Sequence, residues 1–87
     1  MSYIKLDNET RIEIGKKYFI STRENNTEHH YRGKVIGGDE NNLTLHNGKE
    51  IDFTRVSPFG EGERIRFIRR HVPIKDITHI QSLDDAI

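Results

Sequence analysis

The sequence predicts a small all-β domain, and three observations carry that reading. First, 12 Ile, 3 Val and 6 Thr stand against one Ala and 4 Leu. β-Branched side chains are stiff at χ1 and fit a pleated surface, whereas Ala and Leu favour helices. Second, 7 Gly and 6 Asn supply positions for turns that need positive φ. Third, several segments alternate apolar and polar residues with a period of two. The length of 87 residues fits one domain, 1–87, with an N-terminal arm over 1–15 and a barrel over 16–83. A chain this short has a thin core, and its apolar fraction of 32% is low, so a core shared between subunits is expected. The absence of Cys excludes a disulfide framework and a Cys-based zinc site. With no signal-peptide pattern and no apolar run of membrane-spanning length, the expected location is cytoplasmic, without a membrane role.

Each element follows from local pattern. Tyr3, Ile4 and Leu6 suit either a short strand or an arm leading to one helical turn at Asp7. Lys16–Thr22 alternates, with Tyr18 and Ile20 on one face and Lys17, Phe19 and Ser21 on the other, and reads as a strand. Residues 23–28 are uniformly polar and read as a loop. His29–Gly37 is a second strand, with Tyr31, Gly33 and Val35 facing one way and Arg32, Lys34 and Ile36 the other. Gly33 inside it marks a bend or a close backbone approach. After the turn at 37–41, Asn42–His46 forms a third strand. Asn47-Gly48 is either a two-residue hairpin or a bulge in one long bent strand. Ile51 and Phe53 lie beyond it, and 57–62 reads as another turn. Glu63–His71 is a long basic strand that ends near Pro73, which lacks an N–H for the ladder. Ile74, Ile77 and Ile80 are spaced by three, which a 3₁₀ turn at Pro73–Asp76 followed by a last strand, Ile77–Leu83, explains. Residues 84–87 read as a frayed end. This order is the plan of a small five-stranded SH3-like bent barrel.

Two stretches resemble a known family. Gly33 to Asp39 followed by Asn42-Leu43-x-Leu45 is similar to the first Sm motif, and Ile68-Arg69-Arg70-His71-Val72 followed by Ile77 and Ile80 is similar to the second. Arg70-His71 also resembles the Lys-His pair at the same place in the bacterial host-factor branch of the Sm-like family. The resemblance spans roughly residues 16–82. It implies an Sm-like barrel in a homo-oligomeric ring of five to seven subunits, the last strand of one subunit pairing with the fourth strand of its neighbour. It further implies binding of single-stranded RNA through the motif loops, with Asp39, Asn42, Arg69, Arg70 and His71 as the RNA-binding residues.

The net charge of zero conceals segregation. Residues 1–38 balance to +2, 39–63 to −4, 64–75 to +5 and 76–87 to −3. Four arginines fall within Arg64–Arg70, and strict alternation places Arg64, Arg66 and Arg70 on one face, with Ile65 and Phe67 on the other. Arg64 and Arg66 suit phosphate contacts, since guanidinium grips phosphate bidentately. Cross-strand pairing with Glu50, Asp52 or Glu63 would instead neutralise the stripe. His29, His30 and His46 are the one cluster with metal-ligand chemistry, but adjacent strand residues face opposite ways, so no metal site is expected. Asp39 with Asn42 fits local turn bonding as well as base reading. Phe59 at a turn tip is either a satellite core residue or an exposed anchor.

No nucleophile–base pair, Gly-rich phosphate loop or metal-ligand spacing appears, so neither catalytic residues nor a cofactor are expected. Two functional classes remain. One is the Sm-like homo-oligomer that binds single-stranded RNA. The other is an SH3-like barrel serving as a protein-interaction or assembly module, as in a small viral (phage) or accessory protein, with no nucleic-acid role.

Overall fold

The computed structural model describes residues 2–7, 9–56 and 62–83, and for 52–56 and 62–63 the backbone alone. Its strands are β1 (Tyr3–Lys5), β2 (Arg11–Glu13), β3 (Lys17–Glu24), β4 (Thr27–Gly38), β5 (Asn42–Val56), β6 (Gly62–Pro73) and β7 (Ile77–Ser82). β1 and β2 form a two-stranded antiparallel pair, and the other five form one antiparallel sheet in the order β6-β5-β4-β3-β7. A 3₁₀ turn at Ile74–Asp76 separates β6 from β7. The all-β class, the five-stranded antiparallel sheet and the 3₁₀ turn are therefore as the sequence predicts. The turn follows directly on Pro73, where β6 must stop donating to a ladder.

Alternation decides which face of the sheet is buried. Tyr18 and Ile20 from β3, Tyr31 and Val35 from β4, Leu43 and Leu45 from β5, and Phe67 and Val72 from β6 form the core, and Ile12 of β2 joins them. Ile12, Ile20, Val35, Leu43, Leu45 and Val72 are fully enclosed. Each such side chain stabilises the fold by about 1.5–3 kcal/mol relative to exposure. The β1–β2 pair is drawn in because Ile4 and Leu6 pack against this core, as do Ile74, Ile77 and Ile80. The Tyr18 hydroxyl reaches out of the apolar layer and accepts the Glu13 N–H at 2.9 Å, so its polar end is satisfied. Gly15, at φ 98°, makes the turn from β2 into β3, and its N–H donates to Val35 O at 2.7 Å.

Several local expectations change. The N-terminal arm adopts the strand alternative, and its partner β2 was not foreseen. The loop expected over 23–28 shrinks to Asn25-Asn26, both at positive φ (49° and 66°), because the polar residues around them pair as Arg23↔Glu28 and Glu24↔Thr27. A two-residue turn of this kind matches the twist of the flanking strands. Asn47-Gly48 is a bulge rather than a hairpin: β5 runs on through it, with Asn47 at φ 50° and a register shift against β4. The turn expected at 57–62, Phe59 within it and the end at 84–87 lie outside the described residues, except for Gly62 at the start of β6.

Candidate nucleic-acid interface

The face of the sheet opposite the core is built by the remaining parity positions. Strand register aligns them in three rows. One reads Gln81, Phe19, Arg32, Lys49 and Arg66 across β7, β3, β4, β5 and β6. A second reads His79, Ser21, His30, Ile51 and Arg64, and a third Lys17, Lys34, His46 and Arg69. Lys17, Arg32, Lys34, Lys49, Arg64, Arg66 and Arg69 are all exposed. The rows contain no carboxylate. The next pair on this face, Arg23 and Glu28, does carry one, and Glu28 lies 3.6 Å from His30 Nε2.

Aromatic groups sit among these cations. The Arg32 guanidinium lies over the Phe19 ring at 5.7 Å. The His30 ring meets Phe19 edge-on at 5.2 Å, and His79 lies 6.4 Å from it. An open depression of about 640 Å³ sits over the Gly48 bulge, lined among others by Arg32, Lys49, Arg66 and Ile68. A second, of about 410 Å³, shares Arg32 and Lys49 and adds Phe19, His30 and Arg64.

The residues singled out from the sequence divide into three groups. Arg64 and Arg66 stand on this exposed face, as alternation places them, and Arg69 joins it opposite His46. Arg70 does not share their face. Phe67 lies opposite Gly48 and Arg70 opposite the buried Leu45: β6 keeps its register with β5 through Asn47, where β5 slips against β4, so the parity of β6 changes by one residue at Ile68. Ile68 is left 76% exposed as a result. Arg70 turns inward, its Nε 3.0 Å from Glu50 Oε1, while His29 Nδ1 lies 3.2 Å from Glu50 Oε2. The Arg70 Nε is buried and lacks an aligned hydrogen bond, so this contact is an ion pair held by charge. Glu50 therefore serves Arg70 and His29 rather than Arg64 or Arg66. The side chains of Asp52 and Glu63 lie outside the described residues. His29 stacks on Tyr31 at 6.2 Å while His30 turns to Phe19, so the two histidines take opposite faces.

Asp39, Asn42 and His71 gather at the end of the sheet. Asp39 Oδ1 accepts the N–H groups of Asn41 at 2.7 Å and Asn42 at 2.8 Å, and its own N–H donates to Asn42 O. These two backbone hydrogen bonds, with a smaller contribution from His71, hold the Asp39 carboxyl below the usual range. Asp39 is thus committed to its turn. Asn42 borders an open depression with Pro73 and Lys75. His71 is exposed and shares a 3.0 Å hydrogen bond with Thr44 Oγ1 through Nδ1.

The contributions of Lys17, Phe19, His30, Arg32, Lys34 and Lys49 to one face were missed from the sequence. Their signal lies in strand parity: each strand brings only one or two bases, so no contiguous block of charge announces them. Compared with known protein families the chain matches none, and no curated protein matches it.

Proposed function

We propose that the protein is an Sm-like subunit of a homo-oligomer that binds single-stranded RNA. The observation that carries this reading is the sheet order. With β6 and β7 at its two ends, each has one neighbour and one free hydrogen-bonding edge among the described residues. Free edges of this length are liabilities unless covered, and pairing β6 of one copy with β7 of the next covers both at once. The likeness of Gly33–Leu45 and Ile68–Ile80 to the two Sm motifs supports the same arrangement. RNA then meets basic surface repeated around a closed assembly, which raises local positive potential.

The test is mass in solution by light scattering, followed by RNA binding against salt. An assembly of five to seven copies with binding that weakens as salt rises is the expected result. A strict monomer at micromolar concentration sinks the proposal. A second reading, the protein-interaction module with no nucleic-acid role, is favoured by Ile68, which is 76% exposed on the end strand β6. An assembled protein without salt-sensitive RNA binding is the result that selects it.

A further inference from the structure

We infer that single-stranded polynucleotide lies across the exposed face of the sheet, along Phe19, Arg32, Lys49 and Arg66, rather than at the motif loops alone. This rests on the nucleic-acid reading above and assigns it a different surface. Arg32, Lys49 and Arg66 stand directly opposite one another on three adjacent strands. Like charges in directly opposed positions destabilise a sheet. No carboxylate of the described residues comes within ion-pairing distance of Arg32, Lys49, Arg64 or Arg66. Among the described side chains the one buried carboxylate of the sheet, Glu50, faces the other way. The isolated fold thus leaves repulsion along the row, and a polyanion laid over it removes that repulsion.

The shape of the face favours a single strand. Neighbouring strands lie about 4.8 Å apart, so Phe19 to Arg66 spans about 14 Å, enough for several nucleotides. Charge alone would accept any polyanion. Phe19 adds a ring for a base, with His30 edge-on to it and Arg32 over it. Bases freed from a duplex stack on aromatic rings and on guanidinium planes, with little regard for sequence. The two depressions meet at Arg32 and Lys49, so the cationic row and the aromatic platform form one continuous surface. Asp39, in contrast, spends its carboxylate on its own turn, and Arg70 is held by Glu50. The loop site is left with fewer groups to offer a ligand.

The experiment is fluorescence anisotropy with a labelled mixed-sequence RNA 12-mer, its DNA counterpart and a poly-glutamate peptide, between 50 and 200 mM salt. Phosphate contacts from Arg32, Lys49, Arg64 and Arg66 predict a slope of about −2.8 in log K against log salt, so RNA affinity falls about 50-fold over that range. Arg32→Gln/Lys49→Gln/Arg66→Gln removes three contacts and flattens the fall to about threefold. Arg64→Gln/Arg66→Gln, at two exposed positions, gives an intermediate slope and guards against misfolding of the triple variant. Phe19→Leu lowers affinity at least about fivefold while leaving the slope unchanged. Equal binding of RNA and DNA supports the inference, because phosphates and base faces are common to both. RNA binding that survives the sheet variants but is lost in Asn42→Ala/His71→Ala overturns the inference and leaves the proposed function standing. No RNA binding by assembled wild type overturns both. Tighter binding of poly-glutamate than of RNA makes the face a site for acidic protein and also overturns the inference.

Discussion

Two glycines on facing strands invite a direct comparison. An alanine methyl at position 48 falls onto the Arg32 carbonyl oxygen and comes within 2.6 Å of Phe67 Cζ and 3.0 Å of the Arg32 carbonyl carbon. Real side chains do not approach backbone so closely, and β4 cannot swing away without breaking its pairing on both sides. At position 33 the same methyl finds its nearest neighbours at 3.5 Å, which is ordinary contact. Neither glycine has positive φ, so the difference is steric rather than conformational. Overpacking against main chain sits at the upper end of its range, and Gly48→Ala is expected to destabilise by about 3 kcal/mol. For a domain of this size that corresponds to a fall of about 12–24 °C in Tm. Gly33→Ala is expected to stay within about 1 kcal/mol of wild type, because the alanine also restricts the unfolded chain. Thermal and urea denaturation followed by far-UV circular dichroism measure both. A Gly48→Ala protein as stable as wild type, or a Gly33→Ala protein as damaged as Gly48→Ala, refutes the account of the β4–β5 bulge.

Other consequences are open to measurement. Leu45→Ala empties a fully buried site and should destabilise by about 2–5 kcal/mol, whereas Ile68→Ser at an exposed position should stay within about 0.5 kcal/mol and alter only self-association. Glu50→Gln removes the charge that holds Arg70 and His29. Because the Arg70 side chain is 39% exposed, the loss should be about 1–3 kcal/mol in urea denaturation, below that of a fully buried pair. Asp7 and Asp39 both have lowered pKa values, caused chiefly by backbone N–H groups: Glu9 and Thr10 for Asp7, Asn41 and Asn42 for Asp39. Their stabilisation is present above the unfolded carboxylate value near 3.8 and is lost as pH falls through the lower folded values. Asp7→Asn/Asp39→Asn should therefore be less stable than wild type at pH 7, with the gap closing below about pH 4 in parallel denaturation series.

What the sequence discloses and what it hides follow from the range of the forces involved. β4 was legible because Tyr31, Gly33 and Val35 alternate against Arg32, Lys34 and Ile36, and one buried face suffices to register a strand. The 3₁₀ turn was legible because Pro73 stops a ladder and the isoleucines around it change period. The hairpin at Asn25-Asn26 was hidden by its own composition, since the strands around it are polar and earn their place by backbone pairing. The inward turn of Arg70 was hidden more deeply. It follows from an extra residue of β5 relative to β4 at Asn47, which β6 matches in register, and alternation counted along β6 alone cannot detect it. For the same reason Arg64 and Arg66 were placed correctly while Lys17, Arg32 and Lys49 went unrecognised as their companions: the face exists only once register brings four strands together.

The last pairing in the sheet differs in kind from the others. β3 with β4, β4 with β5 and β5 with β6 join neighbours along the chain, but β7 meets β3 across more than 50 residues, with Tyr18 opposite Ser82 and Thr22 opposite Ile77. Only this seam carries a long loop closure, so it forms late and separates first. Its separation bares an edge of β3 together with Ile20 and Ile80, which face each other across it. In that opened form β7 is a free apolar arm, and another copy's β3 is an equally good seat for it. Slow hydrogen exchange through β4 and β5, with fast exchange at β7, would mark the seam as the place where the sheet opens.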